Sequence, residues 1–66
     1  MNQCDQVVAY IQEHGFITSW DAYKDLGITQ LATRIFELKE RGYHFRKERR
    51  QGKGRKHWDE YYIDEH

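Results

Sequence analysis

Residues 17–43 read ITSWDAYKDLGITQLATRIFELKERGY, a run in which Gly27 and Gly42 each close a segment with helical periodicity. Thr18, followed three residues later by Asp21, has the pattern of a capping box with Asp in place of the usual Glu or Gln. A short helix is therefore expected from about Ser19 to Leu26, stopping at Gly27. Ile28 is an apolar residue inside the connection that follows. Thr29 suits the N-cap of a further helix, over about 30–41, closed by Gly42. Leu31, Ile35 and Leu38 obey the i, i+4, i+7 rule and form its buried stripe.

Upstream, Val7, Val8 and Ile11 share one face of a helix expected over residues 3–14, with Gly15 placed to end it. Residues 16–18 (FIT) are short and β-prone. Downstream of Gly42 the period becomes two, which predicts a hairpin over about 43–63. An antiparallel register that sets Tyr43 opposite Ile63, Phe45 opposite Tyr61 and Lys47 opposite Asp59 satisfies the chemistry of one face. On the other face it sets Arg46 opposite Glu60 and His44 opposite Tyr62. Such cross-strand pairs contribute ~0.2–1 kcal/mol each. The tip then runs from Gln51 to Arg55, with Gly52 and Gly54 supplying the turn.

Three helices, a short strand after the first, and a terminal hairpin make the plan of a winged helix-turn-helix. The expected class is α+β, mainly helical, as a single domain over residues 1–66 with the hairpin as its C-terminal wing. Such a unit offers its third helix to the major groove of DNA, while the hairpin reaches phosphates or the neighbouring minor groove. With the apolar stripe turned inward, Thr29, Gln30, Ala32 and Thr33 point outward at the start of that helix, and Arg34 stands at the border. Gln pairs in two places with adenine, Arg with guanine, and Ala or a Thr methyl touches the thymine methyl. Thr29, Gln30, Thr33 and Arg34 are the candidate base- and phosphate-contacting residues. The plainer alternative makes Gln30 and Thr33 ordinary exposed residues and pairs Arg34 with Glu37 or Glu40. The later turns are acidic through Glu37 and Glu40, so only the first half of the helix is expected to approach a duplex.

Charge is divided unevenly. Residues 44–57 (HFRKERRQGKGRKH) carry seven basic side chains against the single Glu48, a net +6, while the whole chain is neutral and the remainder therefore carries −6. Phosphate binding depends on local field, so a polyanion partner is expected on this segment. The expected register gives Arg46 and Lys47 acidic partners and leaves Arg49, Arg50, Lys53, Arg55 and Lys56 to meet phosphates. The alternative is a solvated charged edge that discourages aggregation. Trp58 and Tyr62, expected on the outer face of the hairpin, raise a stacking platform for RNA or single strands as a rival. Tyr61, Trp20 and Tyr23 are expected in the core, and Phe36 over the edge of the first helix or the hairpin. Asp59, Glu60, Asp64 and Glu65 read as charge balance and a solubilising tail.

At 66 residues the chain is near the lower limit for a core without staples, which disfavours a deep catalytic cleft. Cys4 is the one cysteine, so an internal disulfide and a cysteine-based zinc site are excluded. His14, His44, His57 and His66 lack ligand spacing, and no metal or cofactor is expected. There is no phosphate-binding glycine loop, no nucleophile elbow and no histidine visibly positioned on Cys4. A non-enzymatic protein is expected. No apolar run approaches a membrane span and no signal-peptide plan begins the chain, so a cytoplasmic location is expected.

The stretches EHG (Glu13 to Gly15), ITSWDA (Ile17 to Ala22), LGIT (Leu26 to Thr29) and RIFELKERGY (Arg34 to Tyr43) resemble a family of small helix-turn-helix proteins encoded by phages and prophages of Gram-positive bacteria. The likeness covers about residues 5–46, and beyond Phe45 the chain departs from that family's longer basic hairpin. The resemblance implies a helix-turn-helix. The expected function is binding of double-stranded DNA by a phage-type transcriptional regulator or excision accessory protein in a bacterial host cell. A homodimer or cooperative array on DNA is expected, because so small a module buries only ~600–1,000 Å² alone. The alternatives are a phage inhibitor, of anti-CRISPR or anti-restriction type, that binds a host protein, and an RNA or single-strand binder.

Overall fold

A computed structural model describes residues 2–64. Glu65, read above as part of a charged tail, and His66 lie outside the described residues. Helix α1 (Gln3–His14) begins where the Asn2 side chain accepts from the Asp5 N–H at 2.8 Å. It buries Cys4, Val7 and Ile11. Helix α2 (Ser19–Leu26) carries both halves of the expected capping box. The Asp21 N–H donates to Thr18 Oγ1 at 3.0 Å, and the Thr18 N–H donates to Asp21 Oδ2 at 3.3 Å. Gly27 ends the helix in the left-handed region, at φ +69°, where any side chain would strain the backbone. The Ile28 N–H then turns back to the Ala22 carbonyl at 2.9 Å. That bond, with Ile28 only 1% exposed, holds the α2–α3 connection in the core.

Helix α3 (Leu31–Glu40) starts one residue later than the sequence suggests, because Gln30, not Thr29, occupies the N-cap. Gln30 makes no side-chain cap bond there. With Ile28 anchored inward, Thr29 sits at a bend in the connection, so its hydroxyl comes too early to cap. Leu31, Ile35 and Leu38 are buried as the periodicity requires. They pack with the α1 stripe, Ile17, Ala22 and Ile28, and Phe45, Tyr61 and Ile63 close the core from the hairpin side. Tyr10 ties α1 to α2 by donating to Asp25 Oδ2 at 2.8 Å. Burial, reinforced by that bond, pushes its phenol up to about 12.

Strands β1 (Phe45–Gln51) and β2 (His57–Ile63) form the antiparallel hairpin. Ile17 exchanges two backbone hydrogen bonds with Tyr61, at 3.0 and 2.9 Å, so β2 lies between Ile17 and β1. The register differs from the expected one by two residues. Phe45 faces Ile63, Lys47 faces Tyr61, Arg49 faces Asp59 and Arg50 faces Trp58. A two-residue slip keeps every side chain on its original face, so alternation alone could not choose between the registers. The ends chose: the Asp64 N–H bonds to His44 O at 2.7 Å, and the Gly52 N–H to Lys56 O at 2.8 Å closes the tip. Tyr43 consequently lies before the strand and bonds back to Leu38 O at 3.1 Å.

Several aromatics are not where hydropathy suggests. Trp20 (64% exposed) and Tyr23 (57%) stand outside the core, stacked on each other with centroids 6.0 Å apart. Phe36 is 61% exposed and lines a groove beside the hairpin with Phe45, Lys47 and Tyr61. On α2 the inward face is the fully buried Ala22 with Leu26 packed against the core, and Trp20 and Tyr23 project from other faces of the helix. Ile28→Ala should remove about 2–5 kcal/mol of stability, since the cavity would open where the connection is anchored. Chemical denaturation followed by circular dichroism would show it as a lower midpoint.

Candidate nucleic-acid interface

At the start of α3, Thr29, Gln30, Ala32 and Thr33 are exposed together. The Thr33 hydroxyl donates to Gln30 Oε1 at 3.5 Å, which orients the amide and leaves its NH2 as a donor. Arg34 is largely buried, its side chain 27% exposed, and is committed elsewhere. Its Nη1 donates to Gln3 Oε1 on α1 at 3.1 Å, and its Nε lies 2.9 Å from Glu37 Oε1, an ion pair by distance without hydrogen-bond alignment. Between these two helices Cys4 Sγ points toward Glu37 Oε1 at 3.6 Å. Burial first, and the acidic neighbour second, push the Cys4 thiol up and keep it protonated.

On the hairpin, the register revises which cations are unpaired. Arg49 and Arg50, expected without acidic partners, have them: Arg49 Nε lies 3.3 Å from Asp59 Oδ1, and Arg50 Nε 3.0 Å from Glu60 Oε1. Arg46 pairs along its own strand with Glu48 at 3.1 Å and lies over the Tyr62 ring at 4.7 Å. Lys47, expected opposite Asp59, faces Tyr61 instead. Lys53, Arg55 and Lys56 occupy the exposed loop 52–56 and have no ion-pair partner among the described residues. The structure thus brings Thr29, Gln30 and Thr33 to one helix end and Lys53, Arg55 and Lys56 to one loop, with Arg34, Arg49 and Arg50 engaged.

Glu60 is not a solubilising charge. It is 8% exposed and accepts three hydrogen bonds, from Tyr62 Oη at 2.8 Å, Arg50 Nε at 3.0 Å and Trp58 Nε1 at 3.1 Å. It also sits directly opposite Glu48, a like-charge pairing that the neighbouring Arg46 and Arg50 offset. Sequence reasoning missed this carboxylate because its donors lie two residues away on β2 and diagonally on β1, which only the correct register reveals. It also passed over Lys39 and Lys47, which line a groove between α3 and the hairpin with Ala32, Phe36 and Tyr61.

A family model of the winged helix-turn-helix domain matches residues 2–66. The chain belongs to that family. No curated protein and no solved structure matches it. In this winged helix-turn-helix domain the hairpin is the wing, and the fold points to DNA as a partner. No described helix is long and apolar enough to cross a membrane.

The Tyr62 hydroxyl, followed by Arg50 and Trp58, holds the Glu60 carboxyl below its ordinary value of 4.5, against the opposing effect of burial. A depressed carboxyl stabilises the fold fully above the unfolded value and loses that contribution as pH falls through the folded one. Denaturant midpoints measured downward from about pH 5 should therefore fall more steeply for the native wing than for Glu60→Gln, which has no charge to lose at that site.

Proposed function

We propose that this winged helix-turn-helix domain binds double-stranded DNA, with the first turn of α3 in the major groove and the tip of the wing on backbone phosphates. Thr29, Gln30 and Thr33 would read base edges, with Arg34 flanking them from its station against α1. Lys53, Arg55 and Lys56 would hold phosphates directly. Arg49 and Arg50 would contribute through guanidinium nitrogens beyond those facing Asp59 and Glu60. The observation that carries this proposal is the placement on one exposed loop of three cations without an ion-pair partner among the described residues, beyond a ladder whose arginines are already neutralised. A loop with uncompensated charge attracts a polyanion, whereas a paired edge only remains soluble.

The biological role that fits is a small phage-type transcriptional regulator or excision accessory protein acting in the bacterial cytoplasm. The sequence resemblance to phage and prophage helix-turn-helix proteins supports it. A homodimer or cooperative array would supply the area that a single module lacks.

Duplex affinity should fall steeply with salt. Replacing Lys53, Arg55 and Lys56 together by Ala should flatten the log–log slope by about 0.9 per lost phosphate contact, ~2–3 in all. Arg49→Ala and Arg50→Ala should change that slope less. A fluorescence-anisotropy titration with duplex at several salt concentrations measures both. Absence of duplex binding at low ionic strength would reject the proposal. A host protein retained after nuclease treatment would favour the inhibitor alternative.

A further inference from the structure

The hairpin has two faces, and the second holds an arrangement that duplex binding by α3 does not use. Ile17 pairs with Tyr61, so Trp20, at the start of α2, lies on the same side of the sheet as Trp58. Trp20, Trp58, Thr18 and Lys56 line one apolar cleft. Trp58 is fixed in place: its Nε1 donates to the buried Glu60 at 3.1 Å. Gly52 backs its ring so closely that a Cβ there would stand 3.1 Å from Cζ3. The indole is nevertheless 41% exposed. Trp20 is more exposed still, at 64%, and Tyr23 stacks on it at an interplanar angle of 23°. An exposed indole held by a buried carboxylate and a glycine contact, lining one cleft with a second exposed indole, is a preorganised apolar site. Lys56, on the cationic loop, stands at its edge.

We infer that the Trp20–Trp58 cleft is a stacking site for an unpaired nucleobase, with Lys56 and its neighbours on loop 52–56 holding the adjoining phosphates. Two features favour a single nucleic-acid strand over an acidic protein segment. The cleft is lined by two indoles with Lys56 beside them, a pairing of aromatic surface and cation that matches a base joined to a phosphate. The cations beside it continue onto a loop with no carboxylate partner among the described residues, which suits a chain of regularly spaced anions. Loop 52–56 is shared with the proposed duplex contact but Trp20 is apart from the α3 face, so the Trp20 variants can fail at the cleft while duplex binding holds. It lets the wing engage a strand end or a melted segment.

Both tryptophans of the chain line the cleft, so intrinsic fluorescence reports on it. The full chain would be titrated with a short oligothymidylate and, separately, with a blunt duplex at the same salt. The single strand should quench the emission. Trp20→Ala should weaken single-strand binding roughly five- to hundredfold, Trp20→Phe should weaken it less, and duplex affinity should stay unchanged in both. Trp20 is exposed, so an unaltered circular-dichroism melt is expected and separates loss of the site from loss of the fold. No quenching by oligothymidylate overturns the inference. Unchanged single-strand affinity in Trp20→Ala overturns it as well. A host protein captured after nuclease treatment, lost in Trp20→Ala and unaccompanied by oligothymidylate binding, would assign the cleft to a protein and also overturn it.

Discussion

Everything that positions this wing depends on two hydrogen bonds between the backbones of Ile17 and Tyr61. They make β2 the inner strand and fix the pleat, so Tyr61 and Ile63 turn to the core while Trp58, Glu60 and Tyr62 turn outward. A two-stranded hairpin alone is marginal in water. Pairing on both sides of β2, with the wholly buried Ile17 beneath, anchors it to the helices. One face of the hairpin can then border α3 through Lys47 and Tyr61. The other carries Glu60 and the tryptophan cleft.

Glu60 divides the charge of the basic segment. By gathering Arg50, Trp58 and Tyr62, it neutralises an arginine that would otherwise point into solvent, and it orients the indole above. Asp59 does the same for Arg49. The local excess of positive charge is thereby shifted outward to loop 52–56, where water and ions are the competing partners and a phosphate meets little desolvation cost. A chain of zero net charge can in this way offer one strongly basic point. The acidic later turns of α3 carry part of the balance.

The helices were legible because their signals are local. The box formed by Thr18 and Asp21, the stop at Gly27 and the stripe of Leu31, Ile35 and Leu38 each lie within one helical span, and each is present in the structure. The hairpin was legible as a hairpin, but its register was not. Alternation repeats every two residues, and a slip of two preserves it, so the choice fell to the Gly52–Lys56 closure and the His44–Asp64 contact at the base. That slip carried the errors at the site with it, since it paired Lys47 and freed Arg49 and Arg50. The surface position of Trp20 and Tyr23 was invisible for a different reason. Hydropathy places a large ring inside by default, and only the packing of α2 through Ala22 and Leu26 shows that these rings project from other faces. Lys53 and Arg55 at the tip and the outward start of α3 were read from sequence, while the tip itself moved with the register from 51–55 to 52–56 and so took in Lys56.

The most direct test of where this molecule meets DNA is chemical-shift mapping of backbone amides in the isotopically labelled chain as duplex is added. The expected result is perturbation concentrated at Thr29, Gln30 and Thr33 and across loop 52–56, with α1 little changed. Perturbation confined to α1 and the acidic end of α3, with loop 52–56 silent, would contradict it.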